Sequence, residues 1–386
     1  MELVRRHSKY GRGALLSAVS YIDLPLLASA VFIALAGLIT MNSFAAENPF
    51  FERQIIWLVL GVIVTVAASM IDYRFLRRTW PIIILFGLTV AALSLIFLFG
   101  DVVKGAQSRF YFAGFAIQPA DPAKLVLIAI LAKYFARRHV EIANVRHVLV
   151  SGAYTLALFV LVLLQPDFGS AIIVALIWFG MTLVAGISRR HIIAVLLIGV
   201  VAAGGLWAYV LEDYQKARVI TFLNPVADIQ GAGYNAYQST IAAGSGELFG
   251  KGIGYGTQSK LKFLPEYETD FIFAAFAEEW GFFGVLLLFL LFGVLMWRIL
   301  ALSAAGGSNF ETLFAAGFAI MIISHFAVHV GINIGLLPVT GTTIPFMSYG
   351  GSHLITEFLG LGILMGMRRY SRIAIDDYKE VEMEHV

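Results

Sequence analysis

The chain has 386 residues and a net charge of +2; 59% of its residues are hydrophobic and 13% charged. A soluble domain carries about 25% charged residues, so the composition excludes one, and the small net charge excludes nucleic acid as the partner. The absence of cysteine excludes disulfides, cysteine-ligated zinc and thiol nucleophiles.

A bilayer crossing needs roughly 20 apolar residues. Stretches of that kind run over 22–43, 54–71, 80–99, 119–136, 147–164, 168–187, 190–211, 271–298, 310–334 and 350–367. The first follows Arg5, Arg6, Lys9 and Arg12, and its length makes it a retained helix, not a cleaved signal peptide. The fifth and sixth are separated by Gln165-Pro166-Asp167, where a proline and two polar groups interrupt a run too long for one span. The expected fold is therefore all-α and polytopic, with about ten transmembrane helices in a single integral membrane domain over 1–386. Its transmembrane core covers 22–370, flanked by tails at 1–21 and 371–386.

With the N-terminus inside, 18 of the 27 lysines and arginines fall on the same side as both tails. The positive-inside rule then predicts two cytoplasmic termini. The segment 212–270, between the seventh and eighth spans, becomes a large extracellular loop. Its many aromatic residues argue against disorder, and the apolar run from Tyr237 to Ala243 suggests short interfacial helices. No internal repeat supports a secondary-transporter plan.

Charged residues in or beside spans are candidates for function. Most gather on the predicted outer face. Arg109 precedes the fourth span; Asp121 and Lys124, three apart, share one helix face and can pair. Asp167 opens the sixth span. Arg218, Lys251, Lys260 and Lys262 lie in the long loop, Asp270 ends it, and Glu278 and Glu279 follow two turns later. Helix capping is the plain alternative for Asp121, Asp167 and Asp270, and contact with lipid phosphates for the loop cations. His325 and His329 have an i, i+4 spacing that suits zinc, but no third ligand presents itself. The set suits glycosyl transfer from a diphospholipid. Cations would hold a leaving group that is already a stable anion, and one carboxylate at the lipid–water boundary would deprotonate the acceptor.

Several motifs carry a resemblance. They are Arg53-Gln54, Gln118-Pro119 with Lys124, Gln165-Pro166-Asp167-Phe168-Gly169, Gly256-Thr257-Gln258-Ser259, and Thr269-Asp270-Phe271 through Glu278-Glu279. Near the end come Asn333-Ile334-Gly335, Leu337-Pro338-Val339-Thr340-Gly341 and Pro345-Phe346-Met347-Ser348-Tyr349-Gly350-Gly351-Ser352. Over nearly all ten spans the chain resembles the SEDS family (shape, elongation, division and sporulation), its RodA branch more than its FtsW branch. The resemblance implies a peptidoglycan glycosyltransferase that polymerises lipid II in the bacterial plasma membrane during elongation and rod-shape maintenance. It places the catalytic carboxylate on Asp270. It places substrate binding on Arg109, Asp121, Lys124, Arg218, Lys262 and Ser348. The expected partners are a class B penicillin-binding protein, which is a transpeptidase, and other elongation-complex membrane proteins. No tightly bound cofactor or metal site is expected, although a divalent cation could accompany the diphosphate. The chain departs from the family pattern at Asp121, where glutamate is common, at Pro122, Ser108 and Glu247, and at His353, where serine is common. The rival readings are a lipid II flippase and a non-catalytic scaffold for the transpeptidase.

Overall fold

The computed structural model describes residues 22–43, 49–103, 106–112, 115–137, 145–209, 213–223, 233–261, 263–264, 266–304 and 306–384; the side chains of 101–103, 106, 112, 115, 213, 214, 218 and 371–384 also lie outside the description. Ten long helices occupy the ten expected stretches. In chain order they begin α1 (Leu24–Asn42), α2 (Pro49–Ser69), α3 (Thr79–Phe99), α4 (Ala120–Ala136), α5 (Val145–Leu163), α6 (Phe168–Val184) and α7 (Arg189–Tyr209). The long segment then adds α8 (Asp213–Leu223), α9 (Tyr234–Ser245) and the single turn α10 (Thr257–Lys260). The bundle closes with α11 (Ile272–Ala304), α12 (Asn309–Asn333) and α13 (Gly351–Glu384). Of these, α1, α2, α3, α5, α7, α11 and α12 are each long and apolar enough to cross a membrane. The 17-residue α6 is apolar but shorter, and α4 and α13 carry charges into the bundle.

Lipid gives apolar side chains no incentive to leave it, so close packing and internal hydrogen bonds hold such a bundle together. α4 and α12 form its centre. Nearly every residue of α4 is buried, and α12 packs on α4, α6 and α11. α2 lies along α13, and α1 along α11. Small residues let these backbones approach: a Cβ on Gly360 of α13 would sit 2.1 Å from the Phe318 ring on α12.

α11 is too long for one straight crossing. It breaks at Gly281, whose φ of 64° and ψ of −167° leave the helical region. The 23 residues beyond the break span about 34 Å at 1.5 Å per residue, enough for the hydrocarbon core. At the break the chain from Glu247 to Gly252 zips onto the helix: Phe282 and Phe283 N–H groups donate to the Glu247 and Leu248 carbonyls, and Lys251 and Gly252 N–H groups to those of Glu278 and Glu279.

Two features exceed the all-helical expectation. A small antiparallel sheet stands between α3 and α4, with strands β1 (Asp101–Val103), β2 (Ala106–Phe112) and β3 (Phe115–Ile117) in the order β1-β2-β3. The other is the segment between α12 and α13, which re-enters the bundle without becoming helical. Its Ile344, Phe346, Met347 and Ser348 are buried, and Phe346 takes a φ of 61°. Irregular backbone is tolerated at membrane depth when protein surrounds it.

The two ends of the bundle differ. At the end where α1 begins and α11 finishes, Asp23 caps α1 by accepting from the Leu26 N–H. It also accepts from Arg298 (3.0 and 2.5 Å) and Arg368 (2.8 Å). Arg77, in the 3₁₀ turn Tyr73–Arg77, pairs with Glu311 at the same end. The sheet, α9, α10, the re-entrant segment and Asp270 all lie at the opposite end.

Candidate active site

Asp270 sits on a tight turn just before α11. Glu266, at a φ of 55°, offers its carbonyl to the N–H groups of Thr269, Asp270 and Phe271 at 3.1–3.2 Å. The next carbonyls are held from outside the turn. The Tyr349 N–H donates to Glu268 O (2.8 Å), the Ser348 hydroxyl to Thr269 O (2.8 Å), and Asn333 Nδ2 to Asp270 O (3.0 Å). The carboxylate faces Gly341, where a Cβ would lie 3.7 Å from Oδ2. Beside it Tyr267 is buried. Burial, with Glu268 next to it, pushes that phenol's pKa up, so it stays neutral.

Ser348 therefore has a different employment from the substrate contact the motif suggested. It is 2% exposed, its hydroxyl donates to Thr269 O, and its oxygen accepts from the Ile344 N–H (3.0 Å). Gln54 on α2 secures the same segment, donating to Ser348 O (3.0 Å) and accepting from the Gly350 N–H (3.4 Å).

A second cluster lies deeper. Lys124 Nζ donates to Asp121 Oδ1 (3.1 Å), and the two side chains are 3% and 6% exposed. The pairing suggested by their spacing is thus formed. The capping alternative for Asp121 is not, because Pro119 occupies the cap position of α4 without a side-chain bond. Lys124 also donates to His325 Nε2 (3.2 Å), which assigns the imidazole hydrogen to Nδ1, 3.3 Å from Thr343 O. On α13, His353 Nδ1 lies 3.4 Å from the same Asp121 oxygen, and its Nε2 lies 2.9 Å from Glu357 Oε1, off the line of a straight hydrogen bond. Glu357 Oε2 accepts the Phe346 N–H (2.7 Å) and so fastens the re-entrant segment. His329 Nδ1 faces Thr342 O (2.7 Å). The two histidines of α12 are thus committed to the 340–343 segment and to Lys124. Among the described residues, no three or more His, Asp or Glu groups are arranged to hold a metal ion.

The remaining candidates divide. Arg109, exposed on β2, donates to Gln118 Oε1 (3.2 Å), and Gln118 Nε2 donates to Asp167 Oδ2 (2.6 Å). Asp167 also caps α6 by accepting from the Ser170 N–H (3.0 Å), so capping and the polar chain coexist. Gly169, two residues on, faces Thr340 and Thr342, bringing this chain to the segment beside Asp270. Lys251 is not left for lipid phosphates: it donates to Glu278 Oε1 (2.7 Å), which also accepts from Thr257 Oγ1 and the Gln258 N–H. Arg218 falls in α8, its side chain outside the described residues, and Lys262 lies outside them altogether. The motif Asn333-Ile334-Gly335 marks the family but assigns Asn333 no role. His353 stood in the sequence only as a departure from the family pattern and Glu357 had no role there; their i, i+4 spacing was the available signal for a shared face.

The arrangement is a carboxylate on a braced turn at one end of a membrane bundle, with a buried cation–carboxylate network beneath it and an exposed arginine nearby. A family model described as a cell cycle protein of the FtsW, RodA and SpoVE type matches residues 16–373. The chain belongs to this family. Stage V sporulation protein E of Bacillus subtilis (strain 168) is 35% identical over 364 residues, covering 91% of this chain and 98% of the relative. Peptidoglycan glycosyltransferase MrdB of Escherichia coli (strain K12) is 34% identical over 349 residues, covering 90% and 93%. A probable peptidoglycan glycosyltransferase FtsW of Thioalkalivibrio is 36% identical over 369 residues, covering 91% and 90%. Three named branches of the FtsW/RodA/SpoVE family thus stand at near-equal identity. Among solved structures, a chain from a peptidoglycan synthase complex aligns with a TM-score of 0.77 at 30% identity, covering 90% of this chain and 98% of that one. The rod shape determining protein RodA of Thermus thermophilus gives 0.68 at 30% identity, covering 90% and 96%.

Proposed function

We propose that this chain, a peptidoglycan glycosyltransferase, polymerises lipid II on the outer face of a bacterial plasma membrane during cell elongation, with Asp270 as general base. The Asp270 carboxylate takes the proton of the acceptor sugar's 4-hydroxyl. That oxygen attacks the donor's anomeric carbon as the bond to the diphosphate oxygen breaks. The polyprenyl diphosphate leaves with the bonding electrons, and the anomeric centre inverts. Arg109, Arg218 and Lys262 hold diphosphate charge, and Lys124 contributes its positive potential from within the bundle. A divalent cation would arrive on the diphosphate oxygens, since the described side chains form no cage for one.

The observation that carries this reading is the braced Asp270 turn at the end of the bundle that also holds the Asp121–Lys124 network and the exposed Arg109. A flippase needs a polar path across the whole membrane. Asp121, Lys124, His353 and Glu357 all lie within about two turns of one end, while Asp23, Arg298, Arg368, Arg77 and Glu311 at the other end close on one another. A scaffold would leave the network without a use. The excess of lysine and arginine on the side of the termini supports cytoplasmic tails. The motifs closest to the RodA branch support elongation. The solved relative from a complex that coordinates polymerisation and crosslinking supports a class B penicillin-binding protein as the partner. Purified chain supplied with lipid II alone is expected to yield glycan polymer, and identically purified Asp270→Asn none. Polymer in both preparations, or in neither when the partner transpeptidase is also supplied, would reject the reading.

A further inference from the structure

We propose that Asn333 and Ser348 are positioning residues for glycosyl transfer, aiming the Asp270 carboxylate through the backbone of its turn. The proposal rests on the reading of Asp270 as general base. Three consecutive carbonyls, Glu268, Thr269 and Asp270, each receive one hydrogen bond from outside the turn, at 2.8, 2.8 and 3.0 Å. Two of the donors belong to the re-entrant segment and one to the end of α12. A carbonyl fixed on each side of a Cα fixes the direction of its Cα–Cβ bond. The carbonyls of Thr269 and Asp270 flank the Asp270 Cα, so the Ser348 hydroxyl and the Asn333 amide hold the base between them.

Asn333 is fully buried and spends its whole amide on this junction. Nδ2 donates to Asp270 O and to His329 O (2.8 Å), while Oδ1 accepts from the Ala274 N–H (3.0 Å) and the Ser239 hydroxyl (3.4 Å). The flipped amide would set oxygen against two carbonyls and NH₂ against an N–H, so the pattern assigns its orientation. The Ala274 N–H belongs to the first turn of α11, where donors have no partner within the helix. One side chain thus ties the base-bearing turn to the start of α11 and the end of α12. A general base must come within about 2.6–3.2 Å of its proton, and a misplacement of about 1 Å can cost about 10²-fold in rate. Loosening this clamp therefore acts on the chemical step and leaves substrate capture alone.

The test uses the full-length chain in detergent or with its partner. Ser348→Ala removes one donor at little cost in volume. Asn333→Asp keeps the shape and the acceptor for Ala274 but loses the donor to Asp270. Both are expected to lower kcat about ten- to hundredfold, with KM for lipid II within about twofold and an unchanged elution profile. Asp270→Glu moves the base by one bond, so Asp270→Glu with Ser348→Ala is expected to lose less than the product of the two single losses. Normal kcat in both Ser348→Ala and Asn333→Asp, or a rise in KM that accounts for the loss, would overturn the positioning role. If Asp270→Asn is inactive while these two variants are normal, only the positioning role fails; if Asp270→Asn is active, the general-base reading fails with it.

Discussion

Replacing Lys124 with methionine preserves most of the side chain's volume and removes one charge from the buried network. In the native protein that ammonium lies 3.1 Å from Asp121 Oδ1 and 3.2 Å from His325 Nε2, with both partners of the ion pair almost fully enclosed. Breaking a buried pair by removing one member costs about 3–5 kcal/mol, because the other charge is left uncompensated. His353 remains 3.4 Å from Asp121, which places the expected loss near the lower end, about 3 kcal/mol. Asp121→Asn leaves the ammonium stranded in turn and is expected to cost a similar amount. The double variant Asp121→Asn/Lys124→Met strands neither, so its loss falls short of the sum by at least about 1 kcal/mol. Denaturant unfolding of the four proteins in one detergent measures the cycle, and lipid II polymerisation measures activity, which both single variants are expected to lose in large part. Losses that add to within about 0.5 kcal/mol would show that the two residues do not act as a pair, and the network reasoning would fail.

Four further outcomes follow from the geometry. Asp23 is held below the ordinary carboxylate pKa of 3.8: burial works against its ionisation, but hydrogen bonds from Arg298 and the Leu26 N–H and the charges of Arg298 and Arg368 outweigh it. Its stabilising effect is thus complete above the unfolded-state pKa and lost as pH falls through the folded one, so the Tm gap between wild type and Asp23→Asn should close below about pH 4; a constant gap would contradict this. Gly281→Ala would press a Cβ to 2.2 Å from the Gly250 nitrogen at a φ of 64°, and a clear fall in Tm is expected, whereas an unchanged Tm would mean the break in α11 is dispensable. Glu278→Ala releases Lys251, Thr257 and Gln258, so trypsin should cut after Lys260 about tenfold faster; unchanged proteolysis would deny the latch. For orientation, cysteine at Tyr255, which is exposed, should react with an impermeant thiol reagent in spheroplasts and cysteine at Ser371 should not; labelling of position 371 alone would invert the topology.

The ten helices were legible because a membrane crossing must satisfy its backbone internally, and a run of about 20 apolar residues has few other uses. The Asp121–Lys124 pair was legible for a related reason, since an i, i+3 spacing fixes proximity once the helix is granted. The sheet at 101–117 was not: its strands are 3, 7 and 3 residues long, too short for alternation to stand out beside apolar helices. Ser348 shows what a motif leaves open. Its position in the polypeptide marked it as part of the site, but only the re-entrant path of 342–350 turns its hydroxyl onto Thr269 O instead of toward a ligand. Asn333, His353 and Glu357 share that difficulty. Their partners are 63, 232 and 11 residues away, on Asp270, Asp121 and Phe346, and no local period connects residues brought together by packing.

Asp270 is proposed to perform the proton transfer that lets one sugar attack another. Asp270→Asn keeps the side chain's size and leaves the backbone bonds from Asn333 and Ser348 in place, so it removes the base while preserving the turn. Single-turnover polymerisation of lipid II by purified wild-type and Asp270→Asn protein, with lipid II binding measured on the same samples, is the direct test. Equal binding and a loss of rate of at least about 10²-fold are expected. Near-normal polymerisation by a folded Asn variant would contradict that role and turn attention to Glu278 and Glu279.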